Sequence, residues 1–170
     1  MKSLNIKILK ESDAKQYQEL RLNGLKTNPE AFGSTYERES KFSLETVIDR
    51  IRPAVDKFVI GAFHESGLLV GIVALARESG IKTTHKANVY GVYISKEMRR
   101  TGIGKALLLE LIRIAKDIEG LEQLNLSVVC DNEPAKELYK SVGFKTYGIE
   151  PNALKFMGQY YDEDLMVLQL

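Results

Sequence analysis

Apolar residues recur along the chain with two periods, and these periods predict which segments are strands and which are helices. Residues 4–8 alternate between apolar and polar side chains, as in a strand with one buried face. Ser43 can cap a helix with an apolar face, and the pattern between Lys105 and Lys116 predicts a longer helix. The other predicted strands lie at 57–63, 68–76, 86–95, 122–129, 144–149 and 164–170, and the other predicted helices at 13–26 and 132–142.

The predicted order is β, α, α, β, β, β, α, β, α, β, β, with a loop around Pro151-Asn152 between the last two strands. This order indicates an α+β fold with a mixed, mostly antiparallel sheet flanked by helices. The 170 residues are enough to bury a core, so we expect a single domain over 1–170.

Composition narrows the class of protein. A formal net charge of +1 leaves no overall basic surface, so nucleic acid is not expected as a partner. No apolar run approaches the ~20 residues that span a bilayer, and the first residues lack the apolar segment of a signal peptide. The one cysteine, Cys130, excludes an internal disulfide and fits a reducing compartment. We therefore predict a cytoplasmic protein that binds no membrane.

A turn with two glycines and basic flanks joins the strand at 86–95 to the helix after it. The turn reads Arg99-Arg100-Thr101-Gly102-Ile103-Gly104-Lys105. Free backbone N–H groups at a helix N-terminus attract anions, and the helix dipole adds to the attraction. Glycine lets a phosphate approach these N–H groups and tolerates a positive φ. The segment therefore predicts a phosphate-binding turn, and the alternative is an ordinary glycine-bearing loop with solvated charges.

Spacing excludes two familiar phosphate-binding loops. A Walker A loop needs Ser or Thr after its Gly-Lys pair, but Ala106 follows Gly104-Lys105. A dinucleotide-binding fingerprint needs Gly or Ala where this chain has Leu107. The pattern that remains is R-x-x-G-x-G, from Arg99 to Gly104.

A second motif runs from Asn132 to Phe144. Asn132 is a good N-cap, Pro134 is tolerated in the first turn, and Gly143 suits the C-terminal end of a short helix. The periodicity indicates an amphipathic helix and by itself indicates no chemistry.

Both motifs resemble those of the GNAT (general N-acetyltransferase) superfamily. R-x-x-G-x-G resembles the family's pyrophosphate-binding motif, and the segment 132–144 resembles its N-x-x-A-x-x-L-Y-x-x-x-G-F signature. The resemblance covers nearly the whole chain. It implies the GNAT fold, acetyl-CoA as the cofactor, no metal, and an amine of a small molecule or peptide as the acceptor.

The resemblance also implies roles for single residues. Backbone atoms of the strand before the turn would bind the pantetheine arm and the oxyanion, the turn would hold the pyrophosphate, and Asn132 would contact the arm. The implied cofactor residues are Val92, Tyr93, Ile94, Arg99, Arg100, Thr101, Gly102, Ile103, Gly104, Lys105 and Asn132. In a strand, Val92 and Ile94 face one side and Tyr93 the other, and Gly91 is consistent with a bulge.

The proton-transfer groups are less clearly marked. The resemblance implies Tyr139 as the general acid, and the alternative is a half-buried tyrosine that packs against Phe144. Many relatives carry a glutamate near the position of Asn88, which cannot act as a base. Water, Glu30 or Glu37 are the alternatives. Cys130 has no histidine near it in sequence and is expected to be structural.

The acceptor groove is expected between 25–42 and 154–162, with Phe32, Tyr36 and Tyr161 as substrate-binding residues. Acids in or beside these segments would suit a cationic amine. They are Glu30, Glu37, Glu39, Asp162 and Glu163. The alternative is a set of core aromatics with a solvated acidic rim.

The predicted function is an N-acetyltransferase in which the amine attacks acetyl-CoA directly in a ternary complex, because no acyl-carrying nucleophile stands out. The alternatives are a non-catalytic acyl-CoA sensor of the same fold and an interaction protein that has lost the activity. A monomer or a homodimer is expected.

Overall fold

One sheet of seven strands runs through the molecule, and the computed structural model describes it within residues 3–170. The strands are β1 (Asn5–Ile8), β2 (Lys57–Phe63), β3 (Leu69–Arg77), β4 (Lys86–Ile94), β5 (Gln123–Val129), β6 (Lys145–Phe156) and β7 (Gln159–Gln169). The helices are α1 (Ala14–Thr27), α2 (Tyr36–Glu39), α3 (Leu44–Ile51), α4 (Ile103–Lys116) and α5 (Glu133–Ser141).

The spatial order of the strands is β1-β2-β3-β4-β5-β7-β6. Every neighbouring pair is antiparallel except β4 and β5, which are parallel and are connected through α4. A parallel pair needs such a crossover, whereas hairpins suffice for the antiparallel pairs. The predicted α+β fold with a mixed, mostly antiparallel sheet is confirmed.

Helices pack on both faces of the sheet. On one face α4 buries Leu107, Leu108 and Leu111 completely, and α5 packs beside it. Burial of each leucine contributes about 1.5–3 kcal/mol. On the other face α1 packs with α3, where Val47 and Ile51 are buried. Among residues 3–170, no helix has the length and apolar character needed to cross a membrane.

The predicted loop around Pro151-Asn152 is wrong. β6 continues to Phe156, and the pairing with β7 only shifts register between Glu150 and Leu154. Asn152 takes a left-handed φ of +52°, and its N–H donates to the Asp162 carboxylate at 2.8 Å. The turn-forming residues therefore form an irregularity inside a long hairpin, because pairing with β7 resumes beyond them.

One helix was not predicted. α2 is a single turn capped by the Thr35 side chain, which accepts a hydrogen bond from the Arg38 N–H at 3.2 Å. Four residues are too few to show an apolar period, so the sequence pattern gave no sign of it.

Candidate active site

A cleft opens in the sheet where two neighbouring strands separate. β4 and β5 form three parallel residue pairs near their N-terminal ends: Lys86 with Gln123, Ala87 with Leu124, and Asn88 with Asn125. Beyond these pairs the described strands diverge. The cleft has a volume of about 1280 Å³ and is lined by both strands, by the turn before α4, and by parts of α1, α5 and β7.

A bulge in β4 accompanies the separation. Tyr93 lies opposite Ile72 and Tyr90 lies opposite Ala74, so β4 contains one residue more than β3 between these pairs. Gly91 lies in the bulge with a φ of +64°. A bulge bends its strand and increases the local twist, which directs β4 away from β5. The bulge expected at Gly91 is confirmed.

The turn before α4 forms one end of the cleft. Gly102 is the N-cap of α4 with a φ of +86°, and a Cβ built on it would have no atom within 4 Å. The first N–H groups of α4 have no partner within the helix, as at every helix start. Gly104 has a different reason to be glycine, because its Cβ would lie 3.0 Å from Leu138 Cδ2 on α5. The turn thus offers an open approach to backbone donors.

The cations of the turn differ in their surroundings. Arg99 donates from Nε to the Ile94 carbonyl at 3.2 Å and from Nη2 to Asn28 Oδ1 at 2.9 Å, and it therefore braces the end of β4. Arg100 and Lys105 line the cleft and make no side-chain hydrogen bond or ion pair within residues 3–170. Their charges are available to an anion bound at the turn.

Side chains of β4 alternate as predicted. Val92 and Ile94 pack on the α4 and α5 face, and Tyr93 packs on the α1 face. The Tyr93 hydroxyl lies 3.3 Å from both Asn23 Nδ2 and Thr27 Oγ1. These side chains are held by the protein, so a ligand in the cleft meets the β4 backbone.

Tyr139 on α5 lines the cleft and is only 8% exposed. Its ring meets Phe144 edge-on, with centroids 6.1 Å apart, so the packing interpretation of this residue is confirmed. Burial raises the pKa of Tyr139 to about 12, so the phenol carries its proton at neutral pH. A neutral phenol facing a cleft can also donate a proton.

Asn132 and Cys130 fix the start of α5. Asn132 lines the cleft and caps the helix, with Oδ1 accepting from the Ala135 N–H at 3.3 Å. Cys130 Sγ donates to Asp164 Oδ1 at 2.9 Å, and Lys136 pairs with the same carboxylate at 3.1 Å. The hydrogen bond to Asp164, with burial, raises the pKa of Cys130 to about 11. The thiol therefore stays protonated, as expected for a structural cysteine.

Among the predicted cofactor-binding and substrate-binding residues, Thr101 and Tyr36 do not line the cleft, and of the predicted groove acids Asp162 does not line it either. Thr101 donates its hydroxyl hydrogen bond to the Met98 carbonyl inside the turn. Tyr36 lies on α2, is 37% exposed, and has Lys26 Nζ 6.0 Å from its ring centroid. The other predicted cofactor and substrate residues line the cleft together: Val92, Tyr93, Ile94, Arg99, Arg100, Gly102, Ile103, Gly104, Lys105, Asn132, Phe32 and Tyr161.

A model of the acetyltransferase (GNAT) domain family matches residues 6–165. The chain belongs to this family. A putative phosphinothricin acetyltransferase from Bacillus subtilis is 27% identical over 109 residues, which are 64% of this chain and 66% of that protein. The chain thus spans just under two thirds of the length of that relative.

Solved structures give this GNAT domain the expected fold. An acetyltransferase of the GNAT family from Streptococcus pneumoniae has a TM-score of 0.87 at 22% identity, over 99% of this chain and 100% of the other. The structure of yncA, a putative acetyltransferase from Salmonella typhimurium with its cofactor acetyl-CoA, gives 0.81 at 19% identity, over 99% and 94%. GNAT acetyltransferases use acetyl-CoA, the predicted cofactor.

The groove that was expected to bind the acceptor differs from the prediction in its acidic residues. Glu39 was expected among the acids of the groove, but it is fully buried and hydrogen-bonded to Arg21 and Arg50. Burial alone would raise the pKa of Glu39, but Arg21, Ser34 and Arg50 together outweigh it and lower that pKa to about 2. Glu37 does not line the cleft, whereas Glu30 does.

Glu163 lies on the wall of the cleft, whereas the sequence pattern did not distinguish it from the other four acids of the expected groove. It lies on β7 opposite both Val129 and Glu150, is half-buried, and lines the cleft. Burial, and then the charge of Glu150, raise its pKa. Asp164, the next residue, points to the other face and holds Lys136, so the alternation along β7 was the available signal.

Proposed function

We propose that this chain transfers the acetyl group of acetyl-CoA to a primary amine, which attacks directly within a ternary complex. The observation that carries the proposal is the cleft between β4 and β5, which leads from a bulged strand to the free N–H groups at the start of α4. Membership of the GNAT family supports this assignment.

The residues of the cleft fit the donor in charge and in shape. Arg100, Lys105 and the first N–H groups of α4 suit a diphosphate, because anions bind at helix N-termini and beside cations. Gly102 leaves open the space that a Cβ would fill. β4 backbone groups beyond Asn88 are not paired with β5 and are suited to the amides of a pantetheine arm.

When bound, acetyl-CoA supplies the acyl group and a sulfur leaving group. Glu163 accepts the proton of the attacking amine, and its raised pKa makes it a stronger base than an ordinary carboxylate. Backbone N–H groups of β4 near the bulge stabilise the developing oxyanion. The Tyr139 hydroxyl protonates the departing sulfur. Asn88 does not serve as a base because an amide does not take up a proton near neutral pH, and its Nδ2 donates to Glu78 Oε1 at 2.9 Å.

Direct transfer is favoured over an acyl-enzyme because Cys130 does not line the cleft and its thiol is held by Asp164. The thiolate is the nucleophilic form of cysteine, and the raised pKa of Cys130 keeps that form scarce. The relative named as a putative phosphinothricin acetyltransferase supports a small-molecule acceptor.

The test is a screen of primary amines and short peptides with acetyl-CoA, followed through the released thiol. We expect turnover with at least one amine and a large loss of turnover in Tyr139→Phe. If the chain binds acetyl-CoA tightly but acetylates nothing, the proposed activity is wrong and the sensor function replaces it. If it does not bind acetyl-CoA, both functions are refuted. The cytoplasmic location and the monomer or homodimer stay predictions.

A further inference from the structure

Two arginines share one buried carboxylate beside the bulge of β4. Arg21 Nε and Nη2 donate to the two Glu39 carboxylate oxygens at 3.1 and 3.0 Å, and Arg50 Nη1 donates to Oε1 at 2.6 Å. Arg21 is 6% exposed and Glu39 is 0% exposed. Tyr17 and Tyr90 are next to the arginines, and burial raises the pKa of each, so both stay neutral. The cluster of Arg21, Glu39 and Arg50 therefore carries one excess positive charge.

Of the three guanidinium nitrogens of Arg21, one has no partner within residues 3–170, and Arg21 lines the cleft. Arg21 uses Nε and Nη2 for Glu39, whereas Nη1 makes no hydrogen bond within the described residues 3–170. Nη1 lies 3.6 Å from where a Cβ on Gly91 would be, so it faces the bulge of β4. The guanidinium carbon lies 4.9 Å from the Phe32 ring centroid, which limits its movement. Arg50 does not line the cleft, so Arg21 alone presents the excess charge to a ligand.

We propose that the acceptor is a primary amine that also carries a carboxylate, as an amino acid does, and that Arg21 Nη1 binds this carboxylate. The proposal rests on the proposed function and adds the class of acceptor. A carboxylate would accept a hydrogen bond from Arg21 Nη1 and neutralise the excess charge of the cluster. Hydrogen bonds between two charged groups are stronger than those between neutral groups. Glu163, on the β7 wall of the cleft, supplies the complementary negative charge for the amine.

The first experiment compares acceptors with and without the carboxylate at equal concentrations of the neutral amine, because loss of the carboxylate also makes the amine more basic. Each common L-amino acid is paired with the amine that its decarboxylation gives, and kcat/KM for acetyl transfer is measured for both. We expect the best amino acid to exceed its decarboxylated partner by about 10- to 100-fold, mainly through KM, as a charged hydrogen bond implies. Equal kcat/KM values within the pairs, with measurable turnover, would overturn the inference and leave the proposed function intact.

The second experiment uses a matched pair of variants. Arg21→Lys keeps a cation for Glu39 but cannot hold a second carboxylate, so the ratio of kcat/KM for an amino acid to kcat/KM for its decarboxylated partner should fall below about threefold. Arg50→Lys alters the other partner of the Glu39 carboxylate, and Arg50 does not line the cleft. This variant should therefore keep the preference for amino acids over their decarboxylated partners. An equal loss of preference in both variants would make the cluster structural only. An equal loss of kcat for all amines in Arg21→Lys would mean that Arg21 serves the transfer step.

A third measurement does not depend on turnover. Binding of the same amino acids and amines to the CoA complex is measured by calorimetry, in the native chain and in Arg21→Lys. Amino acids should bind about 10- to 100-fold more tightly than their decarboxylated partners to the native chain alone. If the amino acids bind more tightly but no acetyl group is transferred, the proposed function is refuted and the carboxylate site stands. If amino acids and amines bind equally, the carboxylate site is refuted.

Discussion

Replacement of Gly102 by alanine separates the cost of backbone strain from the cost of a blocked site. Gly102 has a φ of +86°, where an L-residue costs about 1–2 kcal/mol. Because a Cβ there meets no protein atom within 4 Å, the protein itself adds no clash. For a domain of this size the strain should lower Tm by about 2–8 °C.

The added methyl group should also obstruct the diphosphate of acetyl-CoA. If it separates the ligand from one or two backbone donors, about 1–3 kcal/mol of binding free energy is lost, which raises Kd about 5- to 150-fold. Calorimetry or fluorescence titration with CoA, at a temperature well below Tm, measures this change.

Gly67 provides the matched control. It has a φ of +88°, a Cβ there would also meet nothing within 4 Å, and it lies in the turn between β2 and β3, outside the cleft lining. Gly67→Ala should therefore lower Tm as much as Gly102→Ala and leave the Kd of CoA unchanged. If both variants keep the native Kd, the turn before α4 does not hold the diphosphate. If both lose affinity equally, the effect comes from stability.

Three further predictions concern the protonation states of Tyr139, Glu163 and Cys130. Tyr139→Phe should lower kcat about 100-fold or more and keep the Kd of acetyl-CoA within about twofold, because only the hydroxyl is removed. In the native chain kcat/KM should rise with pH as Glu163 loses its proton. The midpoint of this rise should lie above pH 4.5, because burial and Glu150 raise the pKa of Glu163 from that ordinary value. Glu163→Gln should abolish that rise, and Glu150→Gln should move it to lower pH. Cys130 should resist iodoacetamide at pH 7.5, since its pKa is about 11, and react once the chain is unfolded.

Each of these has a contrary outcome. An unchanged kcat in Tyr139→Phe would leave the ring as a packing element only. A pH profile that keeps its rise in Glu163→Gln would assign proton removal to water or another group. Rapid alkylation of Cys130 in the folded chain would contradict its hydrogen bond to Asp164 and reopen an acyl-enzyme route.

The end of the cleft formed by the turn before α4 and by α5 was predictable because its determinants are contiguous in sequence. Segments 99–105 and 132–144 each contain a turn or a cap, an anion-binding or packing feature, and a helix start, all within about a dozen residues. Local rules on caps, glycines and helix dipoles therefore apply to them directly. The alternation of Val92, Tyr93 and Ile94 also followed from strand geometry alone.

The cluster of Arg21, Glu39 and Arg50 was less predictable because these residues come from distant parts of the chain. Arg21, Glu39 and Arg50 belong to three different helices, and their pairing depends on how α1, α2 and α3 pack. Glu39 was expected among the acids that line the acceptor groove, and its pairing with Arg21 and Arg50 explains why it is buried instead. Pro151 and Asn152 have the composition of a loop, yet strand pairing on either side of them overrides that local preference.

The separation of β4 from β5 has a mechanical consequence. Within residues 3–170, three residue pairs join the half-sheet β1–β4 to the half-sheet β5–β7, which is fewer than in any other neighbouring pair of strands. A carrier molecule lying between β4 and β5 would act as a substitute strand and hold the two half-sheets together. When the carrier binds, amide hydrogen exchange should then slow in Val128 and Val129 of β5 and also in β4, although β5 and β4 belong to opposite half-sheets.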